Sequence, residues 1–329
     1  MNWHGRKVLV TGAAGFIGSH LAERLVALGA SVRALVRYNS RNDQGLLAVL
    51  PREIRDSIEV VPGDLRDADT LARCTAGADT VFHLAALISI PFSYRNPTEF
   101  VQTNVVGTAN LLDAARRNGV RRVVHTSTSE VYGSAQYVPI DENHPLQPQS
   151  PYSASKIAAD SIATSYFLSF DFPVAIIRPF NTYGPRQSLR AVIPSIALQA
   201  LRSDRIYLGR LDTTRDFNFV SDTVEAFLRI AESDRAVGRV LNVGSGRDVS
   251  VGEVVSMIGR IVGREIAVVE ETGRLRPAAS EVLRLQADAS AVRELTGWAP
   301  AVPLETGLVR TVDWLRDQRS DLEAERYVV

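Results

Sequence analysis

An apolar strand that runs into a turn with three glycines at fixed intervals, and then into a helix, leaves a chain few folds to adopt. Lys7-Val8-Leu9-Val10-Thr11 is such a run, and it leads into Gly12-Ala13-Ala14-Gly15-Phe16-Ile17-Gly18. Helical periodicity then continues to about residue 28. Glycines placed between a strand and a helix read as a dinucleotide cradle. Gly12 permits the sharp turn, Gly15 lets the backbone approach a pyrophosphate, and Gly18 lets the helix pack closely. The helix start, at Phe16 and Ile17, adds unpaired N–H groups and partial positive charge.

The same alternation continues for half the chain. Strands are expected over residues 31–36, 58–61, 80–84, 122–126 and 174–178, and a long helix over 97–118. A second long helix is expected over 150–170, opening where Ser150 can cap and Pro151 can take the first turn. Strands alternating with helices imply a parallel sheet. After Pro179 the alternation lapses, with turns at Gly184, at Gly244-Ser245-Gly246 and at Gly273. The expected fold is α/β: a Rossmann-type doubly wound parallel sheet over 1–179, with a smaller, interleaved mixed α/β lobe over 180–329. Residues 239–246 are expected to return to the main sheet, because 240–243 still read as a buried strand.

Composition narrows the function. The 329 residues carry 37 basic and 37 acidic side chains, so no general affinity for nucleic acid or an acidic membrane surface is expected. No run approaches the ~18 apolar residues of a membrane span. One cysteine, Cys74, and a start without signal-peptide layout fit a soluble protein of the reducing cytoplasm. Only Lys7 and Lys156 are lysines, every other cation being arginine, so Lys156 stands out.

Tyr152 and Lys156 lie four residues apart on the second long helix and therefore share a face. A cation beside a phenol, together with the nicotinamide charge, favours phenolate and lowers its pKa toward working pH. Upstream, Thr126-Ser127-Thr128-Ser129-Glu130 follows a strand, at the sheet end where such folds bind ligands. Glu130 adds a carboxylate able to move a proton at a carbon next to an oxidised one. At the end of the second strand, Val36-Arg37-Tyr38 has no acid to hold a ribose 2′-hydroxyl. Arg37 leans toward NADP, with NAD still open. No metal cluster is read.

GxxGxxG, Tyr152-Lys156 and the Thr128 segment together resemble the extended short-chain dehydrogenase/reductases, specifically the NAD-dependent epimerase/dehydratase family, over nearly the whole chain. The resemblance implies that Asp64 and Leu65 meet the adenine, and that Leu84, Ala85 and Ala86 line the dinucleotide with Asn104 and Pro179. It implies that Ser89, Asn181, Arg186, Arg215 and Arg276 hold a nucleotide-diphosphate sugar. Thr128-Ser129-Glu130 is similar to the triad of GDP-mannose 4,6-dehydratases, whereas dTDP-glucose 4,6-dehydratases carry Asp-Glu after the threonine. Arg37-Tyr38-Asn39-Ser40, Pro91-Phe92-Ser93-Tyr94 and Arg178-Pro179-Phe180-Asn181 look like legionaminic-acid-type 4,6-dehydratases acting on nucleotide-linked N-acetylglucosamine. Relatives pair two long helices from each subunit, which implies a homodimer.

The expected activity is therefore a nucleotide-sugar 4,6-dehydratase with tightly bound NAD or NADP, using Thr128, Ser129, Glu130, Tyr152 and Lys156. A 4-epimerase would use the same relay with Glu130 idle, and a UDP-glucuronate decarboxylase shares the Thr-Ser-Glu triad. A non-catalytic dinucleotide sensor would have no use for the full set.

Overall fold

Seven parallel strands form the central sheet of the computed structural model, which describes residues 2–271, 273 and 277–318. In chain order the strands are β1 Lys7–Thr11, β2 Ser31–Arg37, β3 Ile58–Gly63, β4 Thr80–His83, β5 Arg122–Thr126, β6 Val174–Pro179, β7 Asn181–Tyr183, β8 Arg205–Leu208, β9 Thr214–Phe219, β10 Val240–Val243, β11 Asp248–Ser250 and β12 Ala267–Glu270. The large sheet has the order β10-β6-β5-β4-β1-β2-β3, so the direction of winding reverses between β1 and β4. In open α/β sheets a ligand crevice forms at that reversal, beyond the strand C-termini.

Alternation along each strand builds two cores. Val8, Val10 and Val124 face α1 (Phe16–Ala27) and the Val220–Glu232 helix, through Leu21, Leu25 and Phe227. Leu9, Val81 and Val123 face the opposite side, where Leu111 and Ala163 of the Gly107–Arg117 and Pro151–Phe170 helices cover them. Strands covered on both faces need continuous apolar runs, as these have. Arg178 is the exception on β6, and its partners belong to the site described below.

The helix expected over 97–118 is not uniform. Pro97–Phe100 and Gly107–Arg117 are α-helical, and the six residues Val101–Val106 between them form a wider π turn. Such turns re-aim side chains and recur at functional sites. Here Asn104 is buried, while Val101 and Val106 are exposed.

Beyond β6 the chain leaves for a lobe in which β7 and β11 flank β9, parallel and antiparallel respectively, and β12 pairs with β8. It returns as β10, which pairs in parallel with β6 at the sheet edge. A Glu142 carboxylate oxygen accepts the Asn242 N–H at 2.8 Å on that edge. The Leu295–Pro300 stretch packs the lobe: Trp298 is buried and donates its indole N–H to the Asp222 carbonyl at 2.9 Å.

Candidate active site

The glycine turn closes on itself and on the exit of β4. Gly12 has φ +72°, and a β-carbon there would stand 2.7 Å from the Ala85 nitrogen. A β-carbon on Gly18 would run into the Gly12 carbonyl oxygen, so Gly18 serves the turn itself more than the sheet. Gly15 is less confined, the Gly12 oxygen at 3.2 Å being its only close neighbour. It caps α1 with no side-chain partner and no acid in the first turn, leaving the Phe16 and Ile17 end open to an anion. These features fit a dinucleotide pyrophosphate. Leu84, Ala85 and Ala86 follow β4 directly, and the Leu84 N–H donates to the Thr11 carbonyl.

Arg37, at the end of β2, is largely exposed and stands 3.8 Å from Glu99. A recess beside it is lined by Val36, Arg37, Tyr38, Asn39, Asp43 and Val60. The strand end itself lacks an acid, but the following loop folds Asp43 back into this recess, where it accepts the Gly45 N–H at 2.7 Å. Leu46 N–H in turn donates to the Ala14 carbonyl, fastening this loop to the glycine turn. Asp64 is half-buried and doubly bound by Arg66, which holds its carboxyl down at about 2. Leu65 is buried against Gly107.

Thr128, Glu130 and Tyr152 come together at the end of β5. Thr128 starts the short Ser129–Tyr132 turn and accepts the Glu130 N–H at 3.2 Å. Its hydroxyl also hydrogen-bonds the Tyr152 phenol, and the Glu130 charge lies close enough to oppose ionisation of that phenol. Ser129 is buried. Ser150 caps the Pro151–Phe170 helix through a reciprocal box with Ser153, which fixes where Tyr152 emerges. Phe100 meets Tyr152 edge-on at 6.2 Å.

The protein's own groups do not by themselves produce the lowering expected for the Tyr152 pKa. Burial raises it well above the ordinary tyrosine value, with Glu130 adding to the rise and Thr128 opposing it. Lys156 is buried too, which drives its pKa down to about 8, and its ammonium donates to the Thr126 carbonyl at 2.6 Å. At Tyr152 desolvation outweighs the Thr128 hydrogen bond.

Behind these residues runs a buried polar layer that the sequence reading missed. The Thr11 hydroxyl donates to His83 Nδ1 at 2.8 Å, since His83 Nε2 must donate to Thr108 (3.0 Å), whose own hydroxyl donates to the Asn104 carbonyl at 2.6 Å. The Asn104 amide is spent on Leu87 and Ser155, so it clamps the loop after β4 to the Tyr152 helix. Asp160 binds Ser127 and Arg178, and Arg178 continues to Tyr132. Asp160 follows Lys156 by four residues and Tyr152 by eight, a spacing that marks one helical face. An arginine inside an apolar strand likewise demands a buried partner.

The residues expected to hold substrate are differently placed. Asn181 points a buried Oδ1 that has no partner among the described residues. Ser89 caps the Ile90–Arg95 helix. Arg215 is nearly buried, donating to the Thr214 and Leu283 carbonyls with Glu281 3.7 Å away. Arg186, at φ +67°, is turned away onto α1, where it pairs with Glu23 and reaches Ser19. Pro179 ends β6, and Arg276 lies outside the described residues. Among the described residues no cluster of His, Cys, Asp and Glu could hold a metal ion, and no helix is long and apolar enough to cross a membrane.

The family model described as GDP-mannose 4,6 dehydratase matches residues 9–311. The UDP-glucose 4-epimerase of Mycolicibacterium smegmatis is 38% identical over 319 residues, 95% of this chain and 99% of that one. The dTDP-glucose 4,6-dehydratase of Streptomyces griseus is 38% identical over 322 residues, 95% of each chain. DesIV, a dTDP-glucose 4,6-dehydratase from Streptomyces venezuelae solved with NAD bound, is 32% identical with a TM-score of 0.83, covering 96% of this chain and 99% of that one. Full-length matches of this kind, over a glycine cradle and a Thr128–Tyr152–Lys156 centre, place the chain in the GDP-mannose 4,6 dehydratase family, among the extended short-chain dehydrogenase/reductases that act as NAD-dependent epimerases and dehydratases on nucleotide sugars.

Proposed function

We propose that the protein is a nucleotide-sugar 4,6-dehydratase, converting an NDP-hexose to its 4-keto-6-deoxy product. The observation that carries this reading is the Glu130 carboxylate beside the Tyr152 phenol. An epimerase that only moves hydride off C4 and back needs no such carboxylate, whereas loss of water across C5 and C6 needs a base and an acid.

Tyr152, assisted by Thr128 and Lys156, takes the proton of the C4 hydroxyl. When bound, an oxidised nicotinamide would supply positive charge that favours phenolate and a reversible hydride acceptor for the carbon chemistry at C4 and C6. The 4-ketone acidifies C5, and Glu130 removes that proton. Ser129, a neutral hydroxyl, is no acid at neutral pH. The protonated Glu130 therefore donates to the departing C6 hydroxyl, which leaves as water. C5 is finally reprotonated from Tyr152, whose proton exchanges with solvent, so the net change is loss of one water.

The cofactor we assign is NAD or NADP, with Arg37 favouring the phosphorylated form through its fork of donors. Asn181, Arg215 and Arg276 are the proposed holders of the nucleotide diphosphate. Arg186, proposed with them, would have to exchange its Glu23 partner for the ligand.

A panel of UDP-, GDP-, dTDP- and CDP-sugars in deuterated water tests the proposal, an N-acetylglucosamine nucleotide being the first to try. Product lighter by one water and deuterated at C5 is expected. A product of unchanged mass without deuterium would replace this reading with the 4-epimerase.

A further inference from the structure

Lys156 and Tyr152 sit on a helix, but the groups that hold them sit on the end of β5. The Lys156 ammonium donates to the Thr126 carbonyl at 2.6 Å, and the Thr128 hydroxyl hydrogen-bonds the phenol. Between these two residues lies Ser127, whose N–H donates to the Ile177 carbonyl at 2.7 Å and whose hydroxyl donates to Asp160 Oδ2 at 2.7 Å. Asp160 is on the same helix as Lys156, one turn further on, and is buried. Arg178, from β6, binds the same carboxylate oxygen through Nε and Nη2 at 3.2 and 3.0 Å.

We infer that Asp160 is the positioning residue of this centre, fastening residues 126–128 to the Tyr152 helix through Ser127 and keeping the buried Lys156 ammonium charged. The inference rests on the Tyr152–Lys156 relay proposed above, but not on which nucleotide sugar is turned over.

Every charged or titratable group facing the ammonium bears on the argument. From the helix come Tyr152 and Asp160. From β5 and β4 come His125 and His83, each held neutral by burial and by the Lys156 charge. The rings of these histidines lie 5.4 Å apart, and His125 Nε2 is 3.4 Å from Asp160 Oδ1. From β6 comes Arg178, whose charge the same carboxylate already balances. Among the described residues Asp160 is the carboxylate that favours the charged form of Lys156, and desolvation is what it works against there.

A direct titration separates this role from mere structural support. The chain has two lysines, so protein labelled with 13Cε-lysine gives one signal from buried Lys156 and one from Lys7 as an internal reference. In the purified protein with its bound cofactor, Asp160→Asn should lower the Lys156 midpoint by about 1 pH unit, with Lys7 unmoved. The direction is diagnostic, because a loosened, wetter core would raise that midpoint instead. If the single variant does not fold, the pair Asp160→Asn with Arg178→Gln should show a lower midpoint than Arg178→Gln alone, a comparison in which only the carboxylate changes. Asp160→Glu should return it to within about 0.3 unit of the parent. A midpoint no lower in a folded Asn variant than in its Asp160 counterpart would overturn the inference. Failure of the parent to dehydrate any sugar would overturn the proposed activity and leave this titration standing.

Discussion

Gly12 and Ala85 are in backbone contact across the crevice mouth, close enough that a β-carbon on Gly12 would lie 2.7 Å from the Ala85 nitrogen. The two residues follow β1 and β4, the strands between which the winding reverses. Gly12→Ala should therefore strike fold and cofactor together. A left-handed φ on a side-chain residue costs about 1–2 kcal/mol, and overpacking against backbone adds about 1–3 kcal/mol. Thermal melting should fall sharply, with bound dinucleotide absent from the purified protein. Gly15→Ala, with its one neighbour at 3.2 Å, should melt near the parent yet retain less dinucleotide.

Glu130→Gln keeps size and hydrogen bonding but removes the carboxylate. Turnover should fall by roughly 100-fold or more, the usual scale for a lost general acid–base group. Reduction of the bound cofactor on adding substrate, read at its near-ultraviolet band, should survive. Undiminished product formation would show that elimination does not use this residue.

Lys156→Met should separate stability from activity. A buried ammonium whose pKa is drawn down to about 8 opposes folding. Between that value and the ordinary lysine value the unfolded chain binds more protons, so this residue's burden is full below pH 8 and eases as pH rises. Methionine removes it, and the melt should be unchanged or higher by up to about 2 kcal/mol equivalent. Activity should collapse. In the parent, activity that needs the charged lysine should decline as pH rises through about 8.

Arg37→Ala should discriminate between cofactors. If Arg37 reads a 2′-phosphate, NADP affinity in calorimetry of stripped enzyme should fall about 10-fold while NAD affinity stays within about 2-fold. Equal losses would assign Arg37 to its Glu99 pair alone.

The proposed homodimer uses the two long helices, whose apolar side chains Val101, Val106, Leu168 and Phe170 are exposed in the single chain. Sedimentation should give twice the chain mass at micromolar protein, and Leu168→Asp with Phe170→Asp should give the monomer. A parent that sediments as a monomer ends the idea.

The parts of this molecule that were legible in its sequence are those decided locally. The glycine turn, the Ser150 cap and the Tyr152–Lys156 face each follow from neighbours within about one helical turn. The six strands of the first half begin at the residues their apolar runs indicated, and none ends more than two residues away. What could not be read were choices of partner across the fold. Arg186 and Arg215 look alike in the sequence, but one is taken by Glu23 and the other sits near Glu281. Burial behaves likewise: the spacing puts Lys156 one turn from Tyr152, but how strongly the sealed surroundings oppose ionisation of the phenol is set by residues far along the chain.

The pairing of β10 with β6 bears on how such a chain can be made. Until residue 243 has left the ribosome, β6 presents an open hydrogen-bonding edge, and for some sixty residues the nascent protein carries a six-stranded platform with one sticky side. Expression of the first 179 residues alone would freeze that stage, and aggregation through the bare β6 edge would be its natural fate.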